Sequence, residues 1–270
     1  MVATPIGNLQ DISPRARDVL STVDLILAED TRHSQTLLRQ FSINTPLKSC
    51  HEHNEDRRIG EMLEFLGQGH DIAFISDAGT PLISDPGYRL VAAAHDHAIR
   101  VIPVPGPSAC ISALSVSGLP TDRFRFIGYL PAKQGARLKA LEELSREQDT
   151  LIFYEAPHRI RATLNDAIAV FGASRPAMLA REMTKLYEET HRSGLADCLA
   201  WVDADTGRGK GEYVLIVQGA QAADADSEAA LRILKILLAE LPKNKAAELT
   251  ARITGMKKNE LYRLALDLDE

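Results

Sequence analysis

A chain of 270 residues that is 45% hydrophobic and 25% charged, with a formal net charge of -6, has apolar material for two cores. It has too little positive charge to coat nucleic acid over its whole surface. No apolar run reaches the ~18 residues of a membrane span and no basic, then hydrophobic leader opens the chain, so a cytoplasmic protein without a membrane partner is expected. Cys50, Cys110 and Cys198 are odd in number, far apart and without CxxC spacing, which points to neither a disulfide framework nor a zinc site.

The first stretch, 1–118, alternates strand and helix. Val2-Ala3 reads as the end of a strand, leaving two readings open: a short first strand, or one that begins upstream. Ser13-Pro14 is a helix start, with Ser as cap and Pro in the first turn, and the helix runs to about residue 20. VDLILA at 23–28 reads as a buried strand, followed by helices over 33–41 and 55–66, the latter with Ile59, Met62, Leu63 and Leu66 at helical spacing. A strand from Asp71, a helix from Pro86, a strand over 100–104 and a helix over 107–116 complete an α/β unit with a largely parallel sheet.

Gly118 to Thr121 reads as a linker. A second α/β unit over 121–221 has expected strands at 124–130, 150–154, 177–181 and 213–217 and helices at 137–144 and 160–171. The glycine-rich stretch 203–211 suits a hairpin or a ligand rim. After a polar linker at 222–227, the tail over 227–270 is helical in three pieces divided by Pro242 and Gly255. Between Arg232 and Arg263, eight basic residues face Glu240, Glu248 and Glu260, a surplus of five positive charges that suits an RNA contact as well as a solvated face.

Three turns fall at expected strand ends in the first unit: Thr4 to Asn8, Ser76 to Pro81, and Pro105 to Ala109. Each joins proline rigidity to glycine freedom, and together they suggest a pocket at the carboxyl edge of the sheet. None fits GxGxxG or GxxxxGK[ST], which disfavours a dinucleotide or nucleoside triphosphate bound in the usual way. Glu29-Asp30-Thr31-Arg32 closes a strand, either as helix caps with a local ion pair or as groups that meet substrate. Glu155, His158 and Arg159 invite the same two readings, proton transfer and phosphate binding or an ordinary helix start, as do Arg181 to Lys185. His51 and His53 are too few to hold a metal and read as polar loop residues, so no metal is expected.

In this order and spacing, ATPIGNLQDISPRA, AEDTR, ISDAGTPLISDPG, VPGPSA, FIGYLP, FYEAPHRI and REMTKLYEE resemble the ribosomal RNA small subunit methyltransferase I family. That family has the tetrapyrrole methylase fold of the class III S-adenosylmethionine methyltransferases. The likeness is dense over the first four-fifths of the chain, and the helical tail is similar to the family's C-terminal extension. It implies two α/β domains with S-adenosylmethionine in the cleft between them, a homodimer, and 2'-O-methylation of a cytidine in the decoding region of 16S rRNA on the small ribosomal subunit. No DNA partner is implied. Carried over position by position, Pro5, Asp77, Ala78, Gly79, Ser108 and Ala109 match cofactor contacts. Tyr154, Glu155, Ala180 and Glu212 or Tyr213 fall, by a looser match, where the adenine and ribose pocket is completed. Tetrapyrrole relatives typically carry GDP where this chain has Ser76-Asp77-Ala78, so methylation of a corrin or porphyrin precursor fits less well. A ribosome-binding module without catalysis is the reading from another class.

Methyl transfer to a ribose hydroxyl needs a group that takes its proton. Asp30, Glu29 and Glu155 are the candidates, with His158 behind them. Arg32, His158, Arg159 and Lys185 are the candidates for holding the RNA.

Overall fold

The computed structural model describes residues 1–51 and 55–268, with the backbone alone at 55–57, 222–229 and 267. In the first unit the Ser13 hydroxyl accepts a hydrogen bond from the Ala16 N–H at 3.0 Å and Pro14 fills the first helical position, fixing the start of α1 (Pro14–Thr22). The buried LILA run is β1 (Leu25–Ala28). Asp30 then caps α2 (Thr31–Gln40), and β2 (Leu47–Ser49), α3 (Glu55–Gly67), β3 (Ile72–Ile75), α4 (Tyr88–Asp96) and α5 (Ala109–Val116) follow. The strands lie in the order β2-β1-β3, all parallel, with Ala28 level with Ser49 and Ile75. Parallel strands end at one edge, so the turns after β1 and β3 emerge side by side.

The second unit is built from β4 (Phe124–Tyr129), α6 (Gln134–Glu143), β5 (Thr150–Glu155), α7 (Ile160–Phe171), β6 (Pro176–Arg181), β7 (Glu189–Gly194), α8 (Leu195–Asp203) and β8 (Tyr213–Val217). Its sheet has the order β4-β5-β8-β6-β7, with β4 and β5 parallel and the other pairs antiparallel. Both sheets are covered on two faces, which is why their central strands are continuous apolar runs. In the first, Leu20, Ile26 and Ile75 pack on one face and Leu27, Phe74 and Leu90 on the other. In the second, Phe153, Leu164 and Leu215 share one core, while Ile152, Met178 and Ile216 pack with Ala113 and Leu114 of α5. Thus α5 leaves the first unit and lies on the second sheet, and its N-terminus marks the junction.

The tail is α9 (Ala222–Leu238), α10 (Lys243–Thr254) and α11 (Lys258–Asp267), packed through Ala230, Leu234, Ala246, Ala247, Leu261 and Ala265. Gly255, in the left-handed region at φ 77°, ends α10.

Three expectations need correction. The stretch 222–227, expected as a linker, is the first part of α9: its alanines and acids are compatible with a helix N-terminus, and polarity alone did not distinguish the two. The strand expected over 100–104 is a single bridge, Val2 to Val104, because a strand exists only where a neighbour pairs with it and the Met1–Thr4 segment reaches only its last residues. The loop over 203–211 is neither hairpin nor free rim. Its Gly207 and Lys210 carbonyls accept hydrogen bonds from the buried Arg181 guanidinium at 2.9 and 2.8 Å, which ties the loop down.

Candidate active site

The first turn at Ile6, the turn after β3 and the start of α5 meet the second sheet around an open cavity of about 220 Å³, which neither Glu29 nor Asp30 lines. The first unit contributes Ile6, the Asp77 to Thr80 turn, Ser84, Asp85, Ser108 and Ala109; the second contributes Tyr129, Tyr154, Met183, Lys185 and Glu212 to Val214. Of the residues matched to cofactor contacts, Asp77, Ala78, Gly79, Ser108, Ala109, Tyr154 and Glu212 line this one space. Gly79 has φ 82°, and Thr4 and Gly79 exchange backbone hydrogen bonds of 2.9 and 3.1 Å that lock the first two turns together. A side chain at Gly7 would collide with Lys185, so glycine there lets the two units close. Ser108 caps α5 without a side-chain hydrogen bond, leaving N–H groups of the first turn for an acceptor. One is already used: the Cys110 N–H donates to the Tyr154 hydroxyl at 3.1 Å. Burial pushes that phenol up to about 12 and the Cys110 thiol up to about 11, so neither ionises at neutral pH.

The acids divide by environment. Asp30 caps α2 through a 2.8 Å bond from the Arg32 N–H, and its other oxygen pairs with the Arg32 guanidinium at 2.9 Å. These bonds lower it to about 2, a weak base. Glu29 has no such hydrogen-bonded guanidinium among the described residues, and its pKa is raised, first by desolvation and then by Asp85, Asp77 and Asp30. Asp85, half-buried beside it, is raised by burial against a stabilising bond from Ser76. Asp77 is spoken for in part, accepting the Asp30 N–H at 3.0 Å and so joining the two turns. Of the two adjacent acids, Glu29 is therefore the stronger base. Asp30→Asn, which keeps the cap, is expected to leave stability unchanged and turnover within about threefold, checked by thermal melting and initial rates.

Other expected site residues have structural partners. Glu155 is 2% exposed, accepts the Thr163 hydroxyl at 2.6 Å and the Ala156 N–H at 2.9 Å, and lies against Arg159 at 3.2 Å. A carboxylate so enclosed holds the start of α7 and is out of reach of a substrate proton. Arg159 donates to the Leu130 and Pro131 carbonyls, anchoring the end of β4. Ala180 is fully buried in β6 and lines no part of the cavity; Pro5 stands next to Ile6, which does. Arg32 is 90% exposed against Asp30, and His158 is exposed on the turn before α7. Lys185 lies inside the cavity, held at 2.8 Å by both Glu182 and Glu212, which keeps it charged. His51 makes no metal cluster among the described residues, and His53 lies outside them.

Sequence reasoning missed Ser84, Asp85 and Tyr129. The signal for Asp85 was present: Ser84-Asp85-Pro86-Gly87 repeats the small, turn-forming chemistry of Ser76 to Pro81. In the structure Leu82 and Ser84 have φ 74° and 72°, so this loop is bent tightly across the cleft. Tyr129 left no local mark, because its place follows from the register of β4 on β5.

Residues 1–198 match the family described as Tetrapyrrole (Corrin/Porphyrin) Methylases, and residues 224–269 match the RsmI C-terminal HTH domain. A "Ribosomal RNA small subunit methyltransferase I" of Escherichia coli O157:H7 is 53% identical over 268 residues, covering 99% of this chain and 94% of that protein. Its namesake in Pseudomonas aeruginosa is 54% identical over 269 residues, covering 98% and 95%. Among solved structures, the cobalt precorrin-4 methyltransferase CbiF superposes with a TM-score of 0.60 at 14% identity over 80% of this chain and 92% of its own. Diphthine synthase does so at 0.60 and 13%, over 81% and 88%. Those two likenesses concern the fold. With two α/β units around a shared cleft, a helical tail and relatives at half identity along nearly its whole length, the chain is a methyltransferase of the ribosomal RNA small subunit methyltransferase I family, on the tetrapyrrole methylase fold.

Proposed function

We propose that the chain transfers a methyl group from S-adenosylmethionine to the 2'-oxygen of a cytidine in the decoding region of 16S rRNA, acting in the cytoplasm as a homodimer on the small ribosomal subunit. One observation carries the reading: the cavity at the junction gathers most of the residues matched to cofactor contacts, in a chain whose near full-length relatives are named for this RNA.

The lining suits the cofactor. Ala78, Gly79 and Ala109 are small enough for close approach, the first turn of α5 has N–H groups for carboxylate or ribose oxygens, and Tyr154, Met183 and Val214 offer an apolar wall for an adenine. When bound, S-adenosylmethionine supplies an electrophilic methyl on a sulfonium. The chain's own part is to align the ribose hydroxyl for in-line attack, which can contribute effective molarities of ~10⁵ M or more. The Glu29 carboxylate, whose proton affinity is raised, would accept the hydroxyl proton. Lys185 and the basic tail hold RNA phosphates.

Incubation with methyl-labelled S-adenosylmethionine and unmodified small subunits, followed by mapping of the label, tests the reading. Label on the 2'-oxygen of one 16S cytidine is expected; no transfer would favour a binding module, and transfer to a corrin or porphyrin instead would reassign the substrate. Removal of residues 222–270 tests the tail, whose Arg232, Lys235, Arg252, Lys257, Lys258 and Arg263 are exposed. S-adenosylmethionine affinity is expected to stay within about twofold, while kcat/KM on subunits falls at least about tenfold and loses part of its salt dependence. Equal kcat/KM in the two proteins would end the tail's role.

A further inference from the structure

An irregularity in β4 decides what that strand shows to the cleft. Phe126 stands level with Ile152 of β5 and Gly128 level with Phe153, so Ile127 is an extra residue in the ladder. Side chains alternate along a strand, and an unbroken β4 would put Gly128 on the face of Phe126 and turn Tyr129 to the other. The extra residue reverses this. Tyr129 comes level with Tyr154, and Phe126 and Tyr129 both meet the Tyr154 ring edge to face, with centroids 4.9 and 5.8 Å apart. Bulges are uncommon between parallel strands, and beside active sites they re-aim side chains. Gly128 takes φ 75° at this bend, and a Cβ there would stand 3.1 Å from the Ser84 hydroxyl oxygen, which comes from the other unit.

Tyr129 thereby heads a row that crosses the sheet at one level. It pairs with Tyr154, Tyr154 with Val214 and Val214 with Ala180, from the edge strand inward. Exposure falls along the row, since Tyr129 is 55% exposed, Val214 5% and Ala180 0%. Tyr154 and Val214 belong to the apolar wall that suits the cofactor's adenine, and Tyr129 lines the same cavity one strand farther out. An edge-to-face contact covers at most one face of a ring, which leaves Tyr129 a face for a planar group. Burial first, then the carboxylates of Glu212, Glu155 and Asp85, raise the pKa of its phenol, so the ring stays neutral. Asp85 is a neighbour of Glu29 as well, which sets the ring and the proposed proton acceptor around one carboxylate.

We infer that Tyr129 is a positioning residue: its ring stacks on the base of the nucleotide to be methylated and so fixes the ribose against the cofactor. The inference rests on the methyl-transfer reading. Proteins read RNA mostly through unstacked bases laid on aromatic side chains, and an exposed ring next to a cofactor pocket meets that need. Stacking uses the ring and not the hydroxyl.

The test uses full-length chains carrying Tyr129→Ala or Tyr129→Phe, with methyl-labelled S-adenosylmethionine and unmodified small subunits. Alanine is expected to lower kcat/KM for subunits by about 10- to 100-fold, the range typical of one lost base–aromatic stack, while S-adenosylmethionine affinity by calorimetry stays within about twofold. Phenylalanine is expected to bring kcat/KM back to within about threefold of wild type. Because Tyr129 is mostly exposed, the alanine chain should keep its fold, which thermal melting checks. Three results would overturn the inference: wild-type kcat/KM in the alanine chain, an equal loss of S-adenosylmethionine affinity, or a phenylalanine chain as weak as the alanine one. The second would make Tyr129 part of the adenine pocket, and the third would give its role to the hydroxyl. A wild-type chain that transfers no methyl would end the methyl-transfer reading and this inference with it, so the wild-type control tells the two failures apart.

Discussion

Replacing Glu29 with Gln is expected to lower kcat by about 10²- to 10⁴-fold while S-adenosylmethionine affinity, measured by titration calorimetry, stays within about twofold. The side chain follows the last residue of β1 and feels Asp77 and Asp85, which line the cleft, and it lacks the guanidinium that makes Asp30 a weak base. Burial and three neighbouring carboxylates favour its protonated form, giving it a higher proton affinity than an ordinary surface glutamate. That shift has a sign in stability too. A carboxyl whose folded pKa is raised stabilises the fold below its unfolded pKa and loses that contribution as pH rises through the folded value. The Gln variant is therefore expected to melt slightly higher than wild type at pH 7 to 8, with the difference closing as pH falls toward 4 to 5. The gain is small because the group is partly exposed. In wild type, kcat/KM should rise with pH through the titration of Glu29. Asp85→Asn removes a negative neighbour and should move that acidic limb to lower pH, a shift that a purely structural Asp85 would not produce. A Glu29→Gln enzyme with wild-type kcat would send the proton elsewhere.

The expected strand at 213–217 and helix at 160–171 coincide with β8 and α7, since continuous apolar runs and 3.6-residue spacing report burial directly. Elements whose existence rests on a distant neighbour left less trace. Glu189 to Gly194 is polar throughout and becomes β7 only because β6 presents a free edge, while Leu47 to Ser49 is three residues long. The sequence reading also passed over α8, although Leu195, Cys198 and Val202 are spaced for one buried face. In the cleft, the three glycine- and proline-bearing turns could be read because such residues signal their own backbone geometry. Which acid was free could not. Asp30 and Glu29 are adjacent in sequence and differ only in what surrounds them, and Glu155 gives no sign of the Thr163 hydroxyl eight residues on.

That enclosure predicts a result for Glu155→Gln opposite to the one for Glu29. The carboxylate has both oxygens engaged, Oε2 with the Thr163 hydroxyl and Oε1 with the Ala156 N–H, and its side chain is fully buried. Arg159 Nε stands 3.2 Å from Oε1, an ion pair without hydrogen-bond alignment, so the carboxylate's charge is what offsets burial of the guanidinium. An amide keeps the shape, removes that charge and turns one N–H pair toward groups that are themselves donors. Breaking one side of a buried pair costs about 3–5 kcal/mol, which for a chain of this size lowers Tm by roughly 10 °C. Folded enzyme at 20 °C should nevertheless keep kcat within about threefold, because both Glu155 oxygens are engaged in the buried turn before α7. Arg159→Met should be comparably destabilising. The double variant should recover part of the combined loss, since neither partner is then left charged and alone, and a coupling of about 1 kcal/mol or more in a double-mutant cycle marks the pair as one unit. A Glu155→Gln protein that melts like wild type but has lost its turnover would return Glu155 to the chemistry.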